Sequence, residues 1–100
     1  MKYDMNVVLN NMDGTESIED GVAATMRIAI TRALVSDNPM NPPTADQKIK
    51  RFALFSKIAT TPPEEPVDLS VDDLAVVKAA ADIWPTLIYG QIVAFLDQRT

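Results

Sequence analysis

The run Thr44-Ala45-Asp46-Gln47-Lys48-Ile49-Lys50-Arg51-Phe52-Ala53-Leu54-Phe55-Ser56-Lys57-Ile58-Ala59 decides the fold class of this chain. It opens as a capping box. The Thr44 hydroxyl can accept from a first-turn amide, and Gln47, three residues on, can reach back. Ile49, Phe52 and Ala53, joined farther round by Leu54, Phe55 and Ile58, recur at helical spacing and predict a wide buried face. Lys48, Lys50, Arg51 and Lys57 occupy the remainder of that helix. Residues 60–66 then break it, with Pro62, Pro63 and Pro66 around Glu64 and Glu65.

Helical signals continue on both sides. Ser70 is an N-cap residue, and Asp72 and Asp73 stand in the first turn, where the helix dipole favours acids. Leu74, Val77, Ala80 and Ala81 carry that helix forward until Trp84-Pro85 interrupts it. Proline suits a first turn, so another helix is predicted from Pro85 to Asp97, strongly apolar through Leu87, Ile88, Ile92, Val93, Phe95 and Leu96. Upstream, Val22, Met26, Ile30 and Ala33, with Ala23, Ala29 and Leu34, form a stripe for a helix starting near Asp20 or Gly21. Arg27 and Arg32 sit near its edges, and it must stop before Asn38-Pro39. Residues 36–43 form a stiff loop.

Residues 1–20 read as extended. Val7-Val8-Leu9 is β-prone, Asn10 to Gly14 is turn chemistry, and Thr15 to Ile18 can return as a second strand. A hairpin this small needs a helix to pack on. The expected fold is therefore mainly α: about four helices with a small N-terminal β-hairpin, α+β at the margin, in one domain over residues 1–100.

Composition narrows the chemistry. The chain has no histidine and no cysteine, and 14 acidic residues against 9 basic ones. It thus lacks the side chain that titrates nearest neutrality, the readiest nucleophile, and the usual ligands of tight zinc, copper or iron–sulfur sites. Without cysteine there is no disulfide framework, which fits a reducing cytoplasm. No serine has a histidine to activate it, and three glycines form no phosphate cradle. The pairs Glu19-Asp20, Glu64-Glu65 and Asp72-Asp73 are adjacent, and adjacent helical residues point apart. Asp13-Gly14 and Asp68 lack the ligand alternation of an EF-hand. No catalytic residue, cofactor or metal is implied. No apolar run is long enough to span a membrane, and the first residues do not form a secretory signal. The net charge of −5 repels free nucleic acid and anionic membranes and favours a basic protein partner, or serves solubility alone.

That charge is segregated. Residues 4–20 hold five acids and no base, residues 27–57 six bases and two acids, and residues 64–73 five acids and no base. Glu64, Glu65, Asp68, Asp72 and Asp73 form one candidate partner-binding segment. Asp4, Asn6, Asp13 and Glu16 form a second. The alternative for both is a solvated loop with N-cap acids. Lys48, Lys50, Arg51 and Lys57 are the only basic cluster and read as an exposed helix face that can pair with acids of residues 64–73. Trp84 is either a core anchor at the interhelix corner or, with Tyr89 and Phe95, part of a pocket or hot spot. Tyr89 and Tyr3 are the better surface candidates. Gly90 inside a helix points to close helix packing or to contact with a partner backbone.

Three segments together carry a resemblance. They are Met12-Asp13-Gly14 ahead of a Gly21-led helix; Ala45-Asp46-Gln47-Lys48-Ile49-Lys50-Arg51-Phe52-Ala53-Leu54-Phe55-Ser56-Lys57-Ile58; and Val67-Asp68-Leu69-Ser70-Val71-Asp72-Asp73-Leu74-Ala75-Val76-Val77-Lys78, followed by Pro85 and Tyr89-Gly90-Gln91. This layout resembles small proteins of tailed phages and prophages, and among them is most similar to anti-CRISPR inhibitors. The resemblance implies a cofactor-free protein of the infected bacterial cytoplasm that binds a CRISPR surveillance complex, with type I-F the implied target. It would block recognition of target DNA by steric and electrostatic occlusion of a basic, nucleic-acid-binding surface. It implies no direct contact with nucleic acid or membrane, and leaves the oligomeric state open. Anti-CRISPR proteins share no family motif, so no binding residue is carried over. The alternative is a phage assembly chaperone or morphogenesis factor.

Overall fold

A computed structural model describes residues 1–19 and 21–98. Four α-helices dominate: α1 (Met26–Val35), α2 (Ala45–Thr60), α3 (Val71–Ala80) and α4 (Thr86–Leu96). A 3-10 turn, Ala81–Ile83, links α3 to α4. Four two-residue strands complete the fold: β1 (Lys2–Tyr3), β2 (Ile18–Glu19), β3 (Val22–Ala23) and β4 (Val67–Asp68).

The capping signals act as the sequence predicts. Thr44 Oγ1 accepts from the Gln47 amide at 3.2 Å while Gln47 Oε1 accepts from the Thr44 amide at 2.8 Å. Ser70 and Asp73 close a second capping box at the start of α3. The Pro85 carbonyl accepts from Ile88 and Tyr89, so the proline precedes α4 instead of breaking it.

The first helix starts later than its apolar stripe suggested. Gly21 has φ +78° and lies in the turn between β2 and β3, and the helix begins at Met26 with Thr25 as N-cap. Asp20, the other expected start, lies outside the described residues. Val22, assigned to the stripe, is an exposed strand residue.

The N-terminal hairpin is also rearranged. Its turn forms, with Gly14 at φ +87° and a bridge between Asn10 and Glu16. Ile18 and Glu19 then pair with Ala23 and Val22, while Val8 bridges Thr25. Three amides close a ring: Leu9 donates to the Ala24 carbonyl, Ala24 to Ser17, and Ser17 to Leu9, each at 2.8–2.9 Å. Three short segments thereby satisfy one another's backbone, where a two-stranded hairpin would leave an open edge.

The buried side chains form one hydrophobic cluster, with Tyr3, Met26, Ile30, Leu54, Ile58, Val67, Leu69, Val77, Ile92 and Leu96 at its centre. Tyr3, expected at the surface, is 2% exposed. Antiparallel pairing of β1 with β4 places it there, opposite Val67. Its hydroxyl donates to the Leu96 carbonyl at the end of α4, and its ring lies 5.4 Å from that of Phe95. Burial, with the Asp97 carboxylate adding to it and Lys78 opposing, raises the phenol pKa above its ordinary value. The group thus remains a neutral donor at physiological pH.

Arg27 ties α1 to the end of α2. Its guanidinium donates to the Ile58 carbonyl at 2.8 Å and the Thr61 carbonyl at 2.6 Å, capping the C-terminal end of α2. Trp84 Nε1 donates to the Ala29 carbonyl at 3.0 Å and fixes the α3–α4 corner against α1.

The wide buried face read for α2 is much narrower. Only Leu54 and Ile58 are buried, Phe55 is half-buried, and Ile49 and Phe52 point outward. A single neighbouring layer covers one side of a helix, and α1 and α3 both lie on the Leu54 side.

Tyr3→Phe keeps the ring and removes the buried hydroxyl bond. It should destabilise the chain by about 1 kcal/mol, read as a lower urea midpoint at unchanged slope. An unchanged midpoint would mean that the Leu96 carbonyl is equally well satisfied by water.

Candidate functional site

The β1–β4 pairing brings the two acidic segments of the sequence together. Past Tyr3 the chain continues along the 62–66 loop, and Asn6 Nδ2 donates to the Pro63 carbonyl at 2.6 Å. Asp4 Oδ1 accepts from the Asn6 amide at 3.0 Å and shapes that turn. The Glu65 amide donates to the Pro62 carbonyl at 3.0 Å and shapes the other. Asp4, Asn6, Glu64 and Glu65 are exposed residues of these two adjoining turns. Neither Glu64 nor Glu65 makes an ion pair among the described residues, so both carboxylates are available to a partner.

The other candidates have local roles. Asp68 Oδ1 accepts from the Met1 amine at 3.0 Å. That hydrogen bond, then the amine's charge, lower its pKa, with smaller help from Lys57 and Lys2. Asp73 is partly desolvated, which raises its pKa, but the Ser70 amide and the Lys57 ammonium at 3.3 Å outweigh this and hold it below the ordinary value. Asp72 faces an open groove of about 530 Å³ between α2 and α3, shared with Lys50 and Lys57, so its surroundings are of mixed charge.

Asp13 and Glu16 stand apart, at the tip of the N-terminal turn. Thr15 donates to Asp13 Oδ1 through its hydroxyl at 2.6 Å and its amide at 3.0 Å, which lowers the Asp13 pKa. Reciprocal bonds between Asn10 and Gln91 tie the base of this turn to α4. No hydrogen bond or ion pair joins it to the 62–66 loop among the described residues. The second acidic segment thus divides: Asp4 and Asn6 join Glu64 and Glu65, while Asp13 and Glu16 do not.

The aromatic residues likewise separate. Trp84 is half-buried and, with Leu9, Ala24, Ile28, Leu87 and Ile88, walls a cavity of about 170 Å³ whose rim carries Glu19 and Arg32. Glu19 and Arg32 approach to 3.6 Å. Tyr89 and Phe95 do not line this cavity; both pack partly against the core. The cavity draws on four separate stretches of chain, so no local pattern announces it.

Gly90 is exposed, and a Cβ built there would meet nothing within 4 Å. Close helix packing therefore does not account for it.

Among the described residues no three histidine, cysteine, aspartate or glutamate side chains stand close enough to hold a metal ion. No helix among them is long and apolar enough to cross a membrane. No protein-family model, curated protein or solved structure matches the chain.

Gly90→Ala should stabilise the chain by about 0.5–1 kcal/mol, because alanine relieves the entropy cost of a mid-helix glycine. A differential scan should show the thermal midpoint rising by a few degrees, and a lower midpoint would reveal a close approach at this face. Asp73 supplies a pH test. Its folded pKa is depressed, so its stabilising effect is complete above the unfolded value and is lost as pH falls through the folded one. Asp73→Ala should cost roughly 1 kcal/mol at pH 7 and much less at pH 2. Equal costs at both pH values would assign the effect to neutral hydrogen bonding.

Proposed function

We propose that this chain is a protein-binding inhibitor whose acidic face, Asp4, Asn6, Glu64 and Glu65, covers a lysine- and arginine-lined surface that would otherwise hold nucleic acid. The observation that carries this reading is the Asn6–Pro63 hydrogen bond, which joins two acid-rich segments 57 residues apart into one exposed surface. Nothing in the fold requires the Glu64 and Glu65 carboxylates there: neither caps a helix nor pairs with a base among the described residues.

The resemblance to phage anti-CRISPR proteins gives this activity a target, the surveillance complex of a type I-F CRISPR system in the cytoplasm of the infected host. An acidic protein with a net charge of −5 is suited to compete with DNA for such a surface. The mechanism is occlusion, steric and electrostatic, and needs neither cofactor nor catalysis. Exposed carboxylates at the rim of a contact act chiefly on association rate and its salt dependence.

Glu64→Lys with Glu65→Lys should leave the circular dichroism spectrum unchanged and weaken binding to purified type I-F complex roughly tenfold at low salt, with a shallower salt dependence. Identical affinity and identical salt dependence would reduce the 62–66 loop to a solvated turn. Recovery of head or tail proteins from infected cells, with no effector subunit, would favour the assembly-factor reading.

A further inference from the structure

The cavity beside Trp84 has walls that are fixed by hydrogen bonds to one another. Leu9, Ser17 and Ala24, whose backbones close the ring of three amide bonds, all line it. The Trp84 indole is held by its N–H on the Ala29 carbonyl at 3.0 Å, and Ala29 lines the cavity too. Reciprocal bonds between Asn10 and Gln91 hold the α4 wall, Leu87 and Ile88, to the N-terminal segments. A ligand would therefore meet walls that are already ordered, which lowers the entropy cost of binding.

The lining states what fits. Leu9, Ala24, Ile28, Trp84, Leu87 and Ile88 are apolar, and a space of about 170 Å³ is roughly what one six-membered ring with a small substituent fills. Water against such walls has few polar partners, and its displacement by an apolar body is favourable. Glu19 and Arg32 are the only charged side chains in the lining among the described residues, and they meet each other at 3.6 Å. A charged ligand would leave one of them opposed, whereas a neutral one disturbs neither. Ser17 and Glu19 both line the cavity while Ile18 between them does not, as expected of an extended segment with one side turned to it. The Ser17 hydroxyl makes no hydrogen bond among the described residues and is free to make one. We infer that this cavity binds a small neutral molecule, one ring in size, whose apolar body lies against Trp84 and Ile88 and whose single polar group meets the Ser17 hydroxyl. None of Asp4, Asn6, Glu64 and Glu65 lines the cavity, so the site stands or falls independently of the occlusion activity.

The test uses the full nitrogen-15-labelled chain, whose one tryptophan gives a single indole N–H resonance. Phenol should shift that resonance saturably, with a dissociation constant in roughly the millimolar range or below. Benzoate and benzylamine, ring-sized but charged, should bind at least about tenfold more weakly. Ser17→Ala should weaken phenol roughly fivefold and leave toluene, which has no polar group, unchanged. Leu87→Asp places a charge in the apolar wall and should abolish binding of both. Leu87 is 44% exposed and lies in the first turn of α4, where an acid suits the helix, so the far-ultraviolet spectrum should not change. No saturable shift with phenol, equal binding of the three probes, phenol affinity untouched by Ser17→Ala, or full binding by Leu87→Asp would each overturn the proposal. Binding of N-acetyltyrosinamide as tight as that of phenol would assign the cavity to a side chain of a protein partner and equally overturn it.

Discussion

Tyr3 holds the N-terminal strand inside the helical cluster, and much of the molecule is arranged around that burial. Its ring packs on Phe95 and its hydroxyl caps the Leu96 carbonyl, so the first residues of the chain close the last helix. The same strand pairs with β4 and thereby fixes the segment that leads into α3. Two backbone segments that would otherwise be unpaired loops satisfy each other next to the core. The neutral phenol matters here, because a charged oxygen at that depth would be costly without a cation beside it.

The acidic surface is a consequence of this closure. Once Lys2 and Tyr3 are registered against Asp68 and Val67, the next residues run beside the proline-rich loop, and Asn6 reaches Pro63. Like charges then gather where the fold brings two loops together. Their mutual repulsion is tolerable because both turns are exposed and screened. Several acids elsewhere are partnered: Asp73 with Ser70 and Lys57, Asp68 with the Met1 amine, Glu19 with Arg32. The distinction between structural and available carboxylates is thus one of geometry and not of residue type.

Helix α2 is held in the fold from one side. Its inner side contributes Leu54 and Ile58 to the core, and its C-terminal carbonyls are tied to α1 by Arg27. A helix packed on one side by α1 and α3 needs only a narrow apolar stripe for its own stability. Ile49 and Phe52 lie outside that stripe and are mostly exposed, the Phe52 ring standing 6.3 Å from that of Phe55.

Local signals in the chain determined the helices. Thr44 with Gln47, Ser70 with Asp73, and Pro85 each act through atoms a few residues apart, so their caps and the four-helix content were legible without tertiary knowledge. The exposed acidic character of Glu64 and Glu65 was legible too. What only the tertiary structure decided depends on partners distant in sequence. Periodicity marks Phe52 and Leu54 alike as apolar, and cannot say which side of α2 meets α1. Asp20-Gly21 carries the same turn chemistry as Asp13-Gly14, but the apolar residues after it masked the turn until Gly21 was seen at positive φ. The Tyr3–Leu96, Arg27–Thr61 and Asn6–Pro63 bonds leave no local trace, because each joins groups whose nearness exists only after the chain has folded.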